Sequence, residues 1–284
     1  MRRTTKLVVL ALTAVVAVAF LAVALHYVPF SAPSYLAWAG IAATLVGLVS
    51  FVRPLRLLGV RTRRHALAVV LGGVGLAVTA LLWPAGVMRP ARPDPGLDRF
   101  LAAYQFREYH EVRVRAPVEA VVRAVRQVSL ADMPAAVLLL RLRAAAGGQF
   151  RAVPPDPRPI LDTMFQPGSG FLALDTDDPG ELVYGIVGFV HKPPPPVRTA
   201  EEFAAFTAPD GIRVVFDLRV VPEADGVVRV STETRCLANG DQARRTFAGY
   251  WRLIYPGSAI IRRVWLDAIV DRAVRDAGAS RQGE

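Results

Sequence analysis

Three stretches near the start of the chain are almost wholly apolar, and beyond them the pattern changes to alternation and helical stripes. Leu7 to Leu25 runs LVVLALTAVVAVAFLAVAL without a charge, and Tyr35 to Val52 and Ala66 to Met88 are of the same kind. A helix rises about 1.5 Å per residue, so roughly 20 such residues cross a bilayer. The pattern predicts three transmembrane helices. Cleavage of the first as a signal peptide is the alternative, because Arg2, Arg3 and Lys6 precede it and Ala22-Val23-Ala24 suits a peptidase. Trp38 and Trp83 stand where amphipathic rings favour the headgroup level. Gly40 with Gly47, and Gly72 with Gly75, are small enough to let helix backbones approach. With no charged residue inside any span, the segment reads as an anchor rather than a substrate path.

Pro84, Pro90, Pro93 and Pro95 with Gly86 and Gly96 predict a stiff extended linker, followed by a short helical lead-in over Leu97–Tyr104. Alternation from Tyr109 to Arg115 puts Val112 and Val114 on one face of a first strand. Pro117 then opens a helix striped by Val121, Val122, Val125 and Val128, and a second helix is expected from Met133 to Ala146. Gly170–Asp175 and Glu181–Val190 flank a turn-rich segment as a hairpin, and Phe203–Thr207 reads as another short strand. In Ile212–Val221 the even positions Ile212, Val214, Phe216, Leu218 and Val220 share one face. Val228, Val230, Thr232, Thr234 and Cys236 repeat the pattern after an Ala224-Asp225-Gly226 turn, with Arg229, Ser231, Glu233 and Arg235 expected on a solvated face.

A long helical region closes the chain, with Asp241 as N-cap. Phe247, Tyr250, Trp251 and Ile254 form an apolar stripe that Ile261, Val264, Trp265 and Ala268 continue, with Arg262, Arg263, Asp267 and Asp271 largely off it. Pro256-Gly257 is expected to kink or break the helix. About six antiparallel strands with helices on one face make an α+β layer architecture. The predicted organisation is a membrane anchor over 1–88, a linker and lead-in over 89–105, a folded domain over 106–277 and a disordered tail over 278–284.

Charge assigns the parts different surroundings. The net charge is +10, from 34 Lys and Arg against 24 Asp and Glu. Eight of those basic residues and no acidic one lie in residues 1–88, which leaves 34 − 8 = 26 basic against 24 acidic groups in the remainder. A nearly neutral domain without aromatic interleaving excludes nucleic acid as a partner. The loop between the second and third spans holds Arg53, Arg56, Arg61, Arg63 and Arg64, whereas His26–Ser34 has no Lys or Arg. Basic residues near span ends are retained inside, so the reading is a multi-pass cell-membrane protein with a cytoplasmic N-terminus and an extracytoplasmic C-terminal domain.

Reactive constellations are sparse. Four histidines include His110 at a strand start and His191 in a loop, too few for a metal centre without carboxylate help. The lone Cys236 falls on an inward face and reads as a small hydrophobe. No Gly-rich phosphate loop, HExxH or GxSxG pattern occurs, and no cofactor or metal is expected. His191-Lys192 followed by Pro193–Pro196 forms a rigid loop that could also present a polyproline surface to a protein partner.

Residues 106–277 resemble the START-like (SRPBCC) superfamily, whose helix-grip fold bends an antiparallel sheet around a long C-terminal helix. Three places carry the resemblance: the strand leading into Arg115-Ala116-Pro117-Val118-Glu119-Ala120-Val121, the strand Val230–Arg235, and the segment Tyr250–Ser258. The last two are similar to a bacterial subgroup of unknown role. The resemblance implies a cavity between sheet and helix for a lipid, sterol, polyketide or other apolar ligand, and no shared catalytic residue.

The function these readings favour is membrane-anchored binding of a hydrophobic or lipid-like small molecule. Phe216, Leu218, Thr232, Thr234, Phe247, Trp251, Ile261 and Trp265 are the candidates to line its cavity. The alternatives are an enzyme of cyclase, aromatase or hydrolase type acting through Thr232, Thr234, Tyr184 or Tyr250, and a protein-interaction module. A carboxylate or histidine enclosed beside the cavity would favour chemistry, and hydroxyls alone would favour binding.

Overall fold

The structure, a computed structural model, describes residues 31–91, 94–146, 154–164, 166, 169–174, 178–189 and 195–282. The first predicted span and His191–Pro194 lie outside the described residues. The chain divides into two compact units, residues 1–81 and 82–284.

In the first unit α1 (Ala32–Val52) and α2 (Arg63–Leu81) pack as a hairpin, and both are long and apolar enough to cross a bilayer. The second predicted span is therefore matched, and the third is shorter than expected. α2 stops at Leu81 rather than Met88, because Pro84 has no N–H to donate and disfavours helical geometry in the residue before it. The glycines divide sharply by role. A Cβ on Gly40 would stand 2.5 Å from the Ala77 backbone N, and one on Gly73 would stand 2.6 Å from the Thr44 N, whereas Gly72 and Gly75 face open space. Thr44 and Ser50 donate their hydroxyls to the Gly40 and Val46 carbonyls one turn back, so neither is left unbonded in an apolar helix.

The second unit is α+β. After α3 (Pro95–Leu101) come β1 (Phe106–Arg115), α4 (Val118–Gln127), α5 (Pro134–Ala146) and α6 (Ile160–Met164). β2 (Leu172–Leu174), β3 (Glu181–Phe189), α7 (Ala200–Ala205), β4 (Gly211–Pro222), β5 (Val227–Ala238) and α8 (Asp241–Gln282) complete it. The strands form one antiparallel sheet in the order β1-β5-β4-β3-β2. β4 and β5 are joined at Asp225 and Gly226, both with positive φ (59° and 67°), the left-handed geometry a tight hairpin needs.

One sheet face is covered by α8 and α4. Val114, Val121, Val125, Phe216, Leu218, Val230, Trp265 and Ile269 form its apolar core. The opposite face is covered too: α3 and α7 bury Leu97, Leu101, Phe203, Val183 and Val215 against it.

Several expectations are corrected. Phe203–Thr207 is not a strand: Phe203–Ala205 ends α7, which Thr199 caps by accepting the Glu202 N–H, and among the described residues the sheet has five strands rather than six. α8 is continuous through Pro256, because the apolar stripe on both sides is buried against the same sheet and tertiary packing overrides the proline. It also runs to Gln282, so residues 278–282 are helical rather than a tail. Residues 82–105 belong to the folded unit, not to a free linker: Met88 and Tyr104 exchange backbone hydrogen bonds, and Arg252 donates to the Trp83 carbonyl at 2.7 Å.

Candidate functional site

Near the start of α8 the sheet and helix part to leave a cleft of about 380 Å³. Its sheet wall is Ile186, Gly188, Ile212, Val214 and Cys236, and its helix wall is Phe247, Tyr250, Trp251 and Ile254. Phe106 packs behind the helix wall, its ring centroid 5.2 Å from Phe247 and 5.8 Å from Trp251. The volume falls within the roughly 300–1,000 Å³ of small-molecule sites, and the lining is predominantly hydrocarbon and aromatic. Burial pushes the Cys236 thiol well above its ordinary range, so it contributes packing rather than a nucleophile.

One residue pair further along the same sheet face lies a buried polar nest. Glu108 and His110 occupy successive inward positions of β1, opposite Thr234 and Thr232 of β5. One Glu108 oxygen meets His110 Nε2 at 3.0 Å, and the other accepts the Ser258 hydroxyl at 2.8 Å. Arg262 reaches down from α8 and donates to Thr234 Oγ1 at 3.1 Å and Thr232 Oγ1 at 3.4 Å. Its guanidinium carbon lies 4.6 Å from the Phe216 ring centroid and 5.5 Å from that of Trp265, a cation–π arrangement. Desolvation lowers the Arg262 pKa, with the charge of Glu108 opposing that shift. Beside it Tyr184, its ring tilted against Phe216 with centroids 5.2 Å apart, has its phenol pushed up to about 12 by burial.

The other sheet face carries a second charged network. Arg235, 1% exposed, donates to Glu233 at 2.7 Å, to Asp98 of α3 and to the Leu101 carbonyl, while Arg107 grips Glu233 with two hydrogen bonds of 2.9 and 2.6 Å. Burial raises the Glu233 pKa, but the two guanidiniums outweigh it and hold the carboxyl below its usual range. This face was expected to be solvated; Ser231, Glu233 and Arg235 are instead buried where α3 and α7 lie over the sheet, while Arg229 stays partly exposed. Nearby, carboxylate oxygens of Asp94, Glu181 and Asp217 lie within 4.8 Å of one another. Burial raises the pKa of Glu181 and, much more strongly, of Asp217. Arg219 reaches Glu181 at 3.3 Å and Asp94 at 3.5 Å, so a guanidinium and retained protons neutralise the group.

Of the eight predicted lining residues, only Phe247 and Trp251 line the cleft. Phe216, Leu218 and Trp265 are packed in the core with Ile261 against them, and Thr232 and Thr234 bond Arg262. Among the alternative catalytic candidates, Tyr250 lines the cleft. Arg262, expected off the stripe, points into the sheet, because a guanidinium that bonds hydroxyls and stacks on rings can sit on a helix's inner face. Sequence reasoning set His110 aside and did not single out Glu108 or Ser258 as site residues. The signal available was parity: Glu108 and His110 share the register of Val112 and Val114.

No protein-family model matches the chain, and no curated protein is significantly similar to it. Among solved structures, a hypothetical protein of Helicobacter pylori aligns over 66% of this chain and 97% of its own, with 11% identity and a TM-score of 0.28. A likeness that low carries no argument.

Proposed function

We propose that this chain is a membrane-anchored protein that binds a hydrophobic or lipid-like small molecule between the sheet and α8, in a START-like helix-grip domain. The apolar cleft of about 380 Å³ carries this reading. Capture would be driven by burial of hydrocarbon at about 25 cal/mol per Å². The two apolar helices support the anchor, and arginines between them, Arg53, Arg56 and Arg61 among them, support a cytoplasmic turn with the folded unit outside. An anchored cleft would exchange its ligand with the bilayer across little water.

Native mass spectrometry of the full chain, released from amphipol, tests the binding reading. The expected result is an added mass that Val214→Trp, which fills the cleft, abolishes; a persistently empty wild-type protein, or an adduct indifferent to Val214→Trp, would overturn it. An alkaline phosphatase fusion at Glu284 is expected to be active, and an inactive fusion would reverse the orientation.

A second reading is acid–base chemistry on the bound molecule, favoured by the enclosed Glu108–His110 pair at 3.0 Å. It expects the adduct's mass to change on incubation in wild type and not in His110→Gln. An adduct that stays the same in both would leave binding as the function.

A further inference from the structure

Resting on the binding reading, the polar nest deepens it. We infer that the molecule held in the cleft is an amphiphile with an acidic oxyanion head, a carboxylate or phosphate, which Arg262 and Trp265 bind at the cleft's inner end. The nest holds an excess of donors. Among the described residues no carboxylate lies within ion-pair distance of the Arg262 guanidinium, which bonds only two neutral hydroxyls. The indole N–H of Trp265, 5% exposed, is buried with no acceptor among the described residues. Unmet buried donors cost about 1–3 kcal/mol each in general, and more when charged, so they mark where an acceptor belongs. Glu108 does not serve, because its oxygens are turned to His110 and Ser258 and form no bond with Arg262.

The walls of the cleft lead to these donors. On β5 the inward residue after Cys236 is Thr234, and on β4 the one after Val214 is Phe216, a step of about 7 Å along each strand. On α8, Ser258 lies one turn, about 6 Å, beyond Ile254. The inward pair just beyond the cleft is thus Thr234 and Phe216, which the Arg262 guanidinium bonds and covers, so a hydrocarbon chain lying in the cleft would point its end toward that guanidinium. Arg262 matches an oxyanion with a planar fork of donors, and the flanking rings exclude the water that would compete for it.

The test uses the full chain in amphipol with two fluorescent probes, cis-parinaric acid and its methyl ester, followed by energy transfer from tryptophan. Wild type is expected to bind the acid about tenfold or more tighter than the ester. Arg262→Gln should bring the two affinities together by weakening the acid alone, and Trp265→Phe should weaken the acid severalfold without touching the ester. Equal binding of acid and ester by wild type would overturn the head-group inference and leave the apolar cleft standing, as would an acid preference that survives both substitutions. Saturable binding of neither probe would overturn the cleft reading and this inference together. If Arg262→Gln does not fold, as judged by circular dichroism, Trp265→Phe and Arg262→Lys decide: unchanged acid preference in both overturns the inference.

Discussion

Ser258 on α8 donates its hydroxyl to Glu108 on β1 across 2.8 Å, tying the long helix to the edge strand beneath it. The same carboxylate holds the His110 ring from its other oxygen. A helix that an apolar stripe alone would leave free to rotate is thus indexed to one strand register.

Removing that tie has a defined cost. Ser258→Ala leaves one oxygen of a 2%-exposed carboxylate without its donor, and should destabilise the folded unit by about 1–3 kcal/mol. Urea unfolding of the full chain followed by tryptophan emission measures it; an unchanged midpoint would show that Glu108 finds another partner.

Arg235 is the pin that fastens α3 to the sheet. Arg235→Leu leaves Glu233 buried with one guanidinium instead of two and releases Asp98, so a loss of about 3–5 kcal/mol is expected. Limited proteolysis should then cut first within residues 82–105. Wild-type resistance there would mean that the apolar contacts of Leu97 and Leu101 hold the segment alone.

Asp217 sets a pH dependence whose sign follows from its environment. Burial raises its folded pKa well above the unfolded 3.8, so its contribution is fully present below that value and is lost as pH rises through the folded pKa. Asp217→Asn keeps an oxygen for the Glu233 N–H and removes the titration. The melting temperature of the variant should therefore gain on wild type steadily from mildly acidic to mildly alkaline pH; a constant gap would refute the assignment.

Cys236, wholly buried with its thiol pKa pushed up, should resist iodoacetamide at neutral pH in the folded protein and react after denaturation. Mass spectrometry before and after guanidinium treatment reads the difference.

The helical hairpin offers an internal contrast. Gly73→Leu collides with the Thr44 backbone and should cost about 1–3 kcal/mol or separate α1 from α2, whereas Gly72→Ala and Gly75→Ala should be silent. Cysteine cross-linking between the helices distinguishes the outcomes.

Periodicity made much of the fold legible. The alternation in 212–221 and 228–236 marks β4 and β5 with their inward faces correctly assigned, and the valine stripe after Pro117 marks α4. Such patterns are local, because a strand repeats every two residues and a helix every 3.6. The Thr199-Ala200-Glu201-Glu202 cap signal was present as well, yet a short apolar run around Phe203 reads as strand or helix with equal ease. The site was less legible. Phe247 and Trp251 were identifiable from the stripe, but Ile186 belongs to the cleft only because β3 pairs with β4.

By itself the sequence determined where apolar helices, strands and turns lie, since each depends on side chains a few residues apart. Only the tertiary structure decided that Arg262 turns inward beneath α8, that Glu108 and His110 are enclosed, and that a second layer covers Glu233 and Arg235. Those outcomes depend on partners distant along the chain: Thr234 for Arg262 lies 28 residues away, Ser258 for Glu108 150 and Asp98 for Arg235 137. A polar residue at an inward position has the same local pattern whether its partner arrives or not; burial becomes tolerable only when distant elements bring the matching hydrogen bonds.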